Sequence, residues 1–229
     1  MLSLFSGTPG SGKSYHATEW IDFYLKRGRN VICTYPFKCN NKHLGEFQYI
    51  NIFDLSVDFL IDYALQHHNF TADPNKFQTL IIIDEAHIKF NTRGFDLKER
   101  VKWLEFLSVH RHYYYDILLI TQNDRSIDRQ VRGLIEVEYK HRNLKCFGGK
   151  GKFLMILLRK KFVAVRYWYP LQEKIDARFF NINKRVAKCY DTMAMFNVSD
   201  KPKQLPQKTI LSPAEFNAQR EKKAGEQGA

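Results

Sequence analysis

The chain has 229 residues, of which 44% are hydrophobic and 14% aromatic. That is enough to bury a core and excludes wholesale disorder. Lys and Arg exceed Asp and Glu by 36 to 24, a formal net charge of +12, which favours anionic partners and says nothing of fold. No apolar run reaches the roughly 18 residues that a membrane-spanning helix needs.

"MLSLFS" reads as a short buried strand that opens the chain with no basic segment before it, so no signal peptide is expected. Residues 14–27 have helical spacing, with Ala17, Trp20, Ile21, Tyr24 and Leu25 on one apolar face and Gly28 as a stop. "NVICTY" (30–35) is a second strand, ended by Pro36. Residues 36–52 carry loop signals. "DLSVDFLIDYALQHH" (54–68) reads as a helix capped by Asp54, and residues 71–76 as a loop. "TLIIID" (79–84) is a continuous apolar strand of the kind that a parallel sheet buries on both faces. A helix is expected over 96–110 with Leu97, Val101, Leu104 and Ser108 on one side. A buried strand follows at "DILLITQ" (116–122), then a short helix around 125–131. Strands alternating with helices predict an α/β fold with right-handed crossovers.

After Gly133 the rhythm changes. Residues 134–142, 153–159 and 162–169 read as consecutive strands, with turns at 147–152 and 160–161, giving an antiparallel extension of the main sheet. Beyond Pro170 the pattern is mixed, and from about residue 199 proline, lysine and small polar residues suggest a linker or tail. The expected organisation is one domain over 1–195 and a Pro/Lys-rich tail over 196–229. Cysteines 33, 39, 146 and 189 lack C-x-x-C pairing and read as reduced thiols, not as a disulfide frame or zinc site.

Chemistry concentrates near the start. Gly7-Thr8-Pro9-Gly10-Ser11-Gly12-Lys13-Ser14 fits G-x-x-x-x-G-K-[ST] in full, after a strand and opening a helix. Gly10 and Gly12 let the backbone approach a phosphate without a Cβ in the way. Loop amides and the helix N-terminus, from Gly7 to Tyr15, would then face phosphate oxygens. Lys13 would reach the β- and γ-phosphates of ATP, and the Ser14 hydroxyl would ligate Mg²⁺. The second half of such a site belongs at the end of another buried strand, where Asp84 would hold the magnesium and Glu85 would activate a water facing the γ-phosphate. That pair favours hydrolysis over transfer to a metabolite. Thr121 and Gln122, at the end of a third strand, are candidates for sensing the γ-phosphate.

Such sites need a cation on the developing charge. Arg93, Arg111, Arg125, Arg129 and Arg132 are candidate fingers, with Arg111, which precedes the sensor-like strand, expected as the catalytic one. If one acts in trans, the active species is a ring. No histidine set has metal-ligand spacing; His87 follows the acidic pair and reads as a bystander. The basic band from Lys140 to Lys161 suits a phosphate backbone, an anionic membrane surface or a solvated sheet edge.

"LFSGTPGSGKSYHA", "TLIIIDEAH" and "ILLITQNDRSIDRQVR" together resemble the zonular occludens toxin (Zot) family, which includes the gene I assembly proteins of filamentous bacteriophages; the resemblance covers about residues 1–195. It implies a P-loop NTPase of the additional-strand, RecA-like class, a three-layer sandwich around a mostly parallel sheet. It further implies an ATP- and Mg²⁺-dependent motor for phage assembly and extrusion, on the cytoplasmic face of the host inner membrane. The implied partners are further copies in a homo-oligomeric ring, phage assembly proteins, and coat protein or phage single-stranded DNA. The family's membrane helix is not found here, so the chain reads as the cytoplasmic part alone. The rival readings are a nucleotide-gated scaffold with little hydrolysis and a small-molecule P-loop kinase.

Overall fold

Runs such as "LSLFS" and "TLIII" have no polar face to offer water, and the fold covers both of their sides. The computed structural model describes residues 1–38, 43–73, 76–91 and 96–190. Met1–Asp191 forms one unit, and a second, Thr192–Ala229, lies outside the described residues together with the expected tail. In chain order the first half comprises β1 (Leu2–Ser6), α1 (Lys13–Lys26), β2 (Asn30–Cys33), β3 (Phe47–Tyr49), α2 (Val57–His67), β4 (Thr79–Ile83), α3 (Leu97–Val109) and β5 (Tyr115–Ile120). The second half comprises α4 (Arg129–Gly133), β6 (Val137–Asn143), α5 (Gly148–Leu158), β7 (Phe162–Trp168), β8 (Glu173–Phe180) and α6 (Lys184–Ala187).

The eight strands form one sheet in the order β3-β2-β4-β5-β1-β6-β7-β8. The six from β3 to β6 run parallel, and β7 and β8 are antiparallel additions. β5 lies between β1 and β4, so one extra strand separates the two that lead to the expected phosphate site. This is the P-loop NTPase fold in its additional-strand form, with helices on both faces. One face packs Phe5, Ile82 and Leu118 against Ala17, Ile21 and Leu25 of α1. The other packs Leu4, Ile83 and Leu119 against Leu60, Trp103 and Val131 from α2, α3 and α4.

Several local expectations are corrected. Residues 153–159 are not a strand: Phe153 to Leu158 continue a helix that begins in the supposed turn, and the sheet passes directly from β6 to β7. The extension instead takes its third strand from β8, within the stretch read as mixed. β3 lies in the segment read as loop. α2 is capped by Ser56, whose hydroxyl accepts from Phe59 N–H, and not by Asp54. α3 buries Trp103, Phe106 and Leu107 while Leu97 and Val101 stay exposed, since the bulkier aromatic side chains set the buried face. Cys33 and Cys146 are free, but Cys189 is disulfide-bonded. Motif spacing could not report this, because pairing depends on proximity in the fold.

Candidate functional site

β1 brings the chain to the carboxyl edge of the sheet, where Gly7 to Gly12 turn it into α1. Gly7 and Gly12 have φ of 136° and 93°, in the region that favours glycine. Space demands glycine as well. A Cβ on Gly7 would collide with the His141 carbonyl oxygen, and one on Gly12 would stand 3.2 Å from the Phe180 ring. α1 has no side-chain cap, so its first amides are available to an anion. The Ser11 hydroxyl is buried without a partner inside this loop.

Lys13 is buried at the start of α1, and its ammonium donates to Gly7 O (2.7 Å) and Thr8 O (3.2 Å). Burial lowers its pKa, while the charges of Glu85 and Asp84 oppose that shift. The three groups therefore face one another across β5. Asp84, at the end of β4, is also buried; its backbone N–H donates to the Thr34 hydroxyl at 2.8 Å. Burial pushes its carboxyl up to about 6. The Glu85 N–H, 2.9 Å from its Oδ1, and the Lys13 charge work against that rise. A bound cation would favour the ionised form. Glu85 has φ of 47°, an uncommon conformation for a residue with a side chain. Its carboxylate is partly open to solvent, with His87 Nδ1 at 3.2 Å. The residue read as a bystander thus sits beside the candidate base.

Gln122 follows β5, and its carbonyl accepts from Gly7 N–H at 3.3 Å. Thr121 is buried, and its hydroxyl is committed to Asn123 O and the Ser126 hydroxyl; of the two sensor candidates, Gln122 is the exposed one. Tyr15 presents its backbone to the loop, while its ring stacks on Phe180 at 5.9 Å and its hydroxyl donates to Glu19 and accepts from Asn183 N–H.

Arg111 is not brought to this edge. It precedes β5 and pairs with Glu136, which precedes β6 and also accepts from Leu2 N–H. The parallel strands therefore hold it at the opposite end of the sheet, roughly 17 Å away along a five-residue strand. Arg125 and Arg129 are exposed in the segment after β5 and form no ion pair among the described residues; Arg93 lies outside them. A cleft of about 520 Å³ flanks the loop, lined by Gly7, Thr8, Gln122, Glu138, Lys140 and Arg142 among others. Lys140 is engaged by Glu138 (3.3 Å) and Gln172 (3.0 Å).

Sequence reasoning missed the segment after β8. It crosses the start of α1, where Asn183 bonds Tyr15, and reaches β2's side of the sheet, where Lys38 N–H donates to Cys189 O at 2.9 Å and Tyr190 bridges Phe37. The Tyr190 ring packs on Tyr35 at 4.8 Å, and burial raises the pKa of its phenol while the Ser14 side chain opposes that rise. No motif announces a tyrosine 176 positions from its serine. His16 and His141 were missed for the same reason. His141 Nδ1 donates to Tyr139 O (2.9 Å), leaving Nε2 to accept from His16 Nδ1 (2.8 Å), and His16 Nε2 accepts from Arg178 (3.0 Å). This chain ties α1 to β6 and β8 directly beneath the loop.

The family model described as "Zonular occludens toxin (Zot)" matches residues 1–195. Among solved structures, the chain is similar to the N-terminal domain of zonular occludens toxin from Neisseria meningitidis. The two share 19% identity over 83% of this chain and 98% of that one, with a TM-score of 0.53. It is also similar to B204, the DNA-packaging ATPase from Sulfolobus turreted icosahedral virus, at 15% identity over 80% of this chain and 97% of that one, TM-score 0.50. No curated protein matches the sequence. No helix among the described residues is long and apolar enough to cross a membrane.

Proposed function

The chain belongs to the zonular occludens toxin (Zot) family, and from that premise we propose that it is the ATP-hydrolysing motor domain of a filamentous-phage assembly machine. It works as a homo-oligomeric ring on the cytoplasmic face of the host inner membrane, driving extrusion together with phage assembly proteins and coat protein or single-stranded phage DNA. Residues 1–195 are the motor domain, and 196–229 link it onward. The observation that carries this reading is the meeting of Lys13, Asp84 and Glu85 at one sheet edge, with Gln122 beside Gly7.

In this reading the amides of Gly7–Tyr15 cradle the phosphates of ATP, and Lys13 exchanges its two loop carbonyls for phosphate oxygens. Ser14 and Asp84 would hold Mg²⁺, which supplies charge neutralisation on the phosphates when bound. The buried Ser11 hydroxyl and the carboxylate raised by burial both suit this pair of ligands. Glu85 accepts a proton from the attacking water, with His87 beside its carboxylate. Gln122 couples the γ-phosphate to Gly7 and the loop after β5. Arg125 or Arg129 of a neighbouring copy supplies a cation on the developing charge, in addition to Lys13 and the Arg142 that lines the cleft.

The test is phosphate release from ATP with no acceptor added. A motor turns over in water. A small-molecule kinase stays silent until its acceptor arrives, and a nucleotide-gated scaffold binds ATP without releasing phosphate.

A further inference from the structure

α5 carries an apolar surface that the described residues leave exposed. Its amino end is seated: Gly151 is buried against the Leu144 carbonyl and the Phe147 side chain, where a Cβ would collide. Its carboxyl end is clamped by Asn181, whose side chain donates to Arg159 O (2.8 Å) and accepts from Lys161 N–H (2.9 Å). Between these anchors, Phe153 is 68% exposed, Ile156 77% and Leu157 65%. Leu158 is also exposed, and Leu154 and Met155 are only half-buried. A firmly mounted helix with six consecutive apolar residues in contact with water needs a partner.

Charge identifies that partner. From residue 139 to residue 172 the sequence contains no Asp or Glu. Lys145, Arg159, Lys160 and Lys161 frame the helix, and none of them forms an ion pair among the described residues; Lys150 and Lys152 add to this count in the sequence. A collar of one sign repels the same collar on a second copy, and lysine is depleted from protein interfaces. Apolar side chains ringed by unpaired cations instead suit the headgroup–acyl boundary of an anionic bilayer. At eleven residues the helix is about 16 Å long, about half the hydrocarbon thickness. It can lie in the interface but cannot cross.

We propose that α5 is a peripheral docking element that inserts Phe153, Ile156 and Leu157 into an anionic lipid surface. It emerges after β6, at the same sheet edge as the loop, and Phe147 before it lines the cleft beside Gly7 and Thr8. Docking therefore sets the candidate nucleotide site close to the bilayer. The inference stands on α5 alone and does not depend on ATP hydrolysis.

The test is flotation of the 229-residue chain with vesicles of phosphatidylglycerol and phosphatidylethanolamine, against vesicles of phosphatidylcholine. The wild type floats with the anionic vesicles and not with the neutral ones. Phe153→Ser/Ile156→Ser/Leu157→Ser and Arg159→Glu/Lys160→Glu/Lys161→Glu each weaken binding more than about tenfold, with unchanged thermal unfolding and ATP turnover in solution. Absence of wild-type flotation overturns the proposal. So does a serine variant that binds as well as wild type, which would mean adsorption by charge alone. A serine variant that instead loses self-association in sedimentation, with vesicle binding intact, would assign the surface to a second copy. Binding to a single-stranded oligonucleotide that competes fully with vesicles and survives the serine changes would assign the collar to nucleic acid.

Discussion

In the parallel half of the sheet, β1, β4 and β5 bury every residue from Leu2 to Ser6, Thr79 to Ile83 and Tyr115 to Ile120. In the antiparallel half, most of β8 is exposed, and α5 holds Phe153, Ile156 and Leu157 in water. The first region spends its apolar residues on its own core, so its polar residues stand out at the strand ends, where Lys13, Asp84, Glu85 and Gln122 gather. The second keeps apolar residues outside. The apolar side chains that α5 leaves in water are those proposed above to meet a lipid surface.

This contrast can be broken or sharpened by substitution. The largest expected effect is at the carboxyl edge: Lys13→Ala lowers ATP turnover by at least about 10²–10³-fold, read by phosphate release, with little change in thermal unfolding. Turnover within a few-fold of wild type would remove Lys13 from the site. Next comes the parallel core, where Leu4→Ala costs about 2–5 kcal/mol in urea unfolding because Leu4 is fully buried. A third effect is pH-dependent. Burial lowers the pKa of His141 from 6.5 to about 4 and that of His16 to about 2, so both are neutral when folded, while the unfolded chain takes up protons below 6.5. The stability that these two imidazoles contribute is complete above pH 6.5 and is lost as pH drops toward 4, about 2–3 kcal/mol of it at His141, while protonation of the buried Asp84 acts in the opposite sense. Urea midpoints at pH 7 and 4.5 check this, and His141→Gln flattens the slope. The smallest effect is the telling one for the outer region: Ile156→Ser shifts stability by no more than about 0.5 kcal/mol. A loss as large as that of Leu4→Ala would mean that α5 is part of the core after all.

Legibility in the sequence follows the same division. The phosphate loop was readable because a glycine-rich motif, a preceding strand and a following helix agree. β4 and β5 were readable because their apolar runs are rich in β-branched residues and alternate with helical segments. "FLMILL" was misread because a short apolar run fits helix and strand alike, and only the fold shows that β6 pairs with β7 and leaves this run outside the sheet. β8, "EKIDARFF", was missed although Ile175, Ala177 and Phe179 alternate with Lys174, Asp176 and Arg178, because the high charge of the run obscured that period-two pattern. Arg111 is a candidate by its place before β5 in the sequence, but parallel strands send the residue before a strand to the far edge. Tyr190, His16 and His141 meet their partners only through tertiary structure, which no local pattern encodes.

The account rests most directly on Glu85. Phosphate release and ATP binding should be measured together for the wild type and Glu85→Gln. The expected result is ATP bound equally by both, with acceptor-independent turnover in the wild type and a loss of about 10²–10⁴-fold in the variant. Equal phosphate release from the two proteins, with ATP bound by both, would contradict the reading of this edge as a hydrolytic motor site.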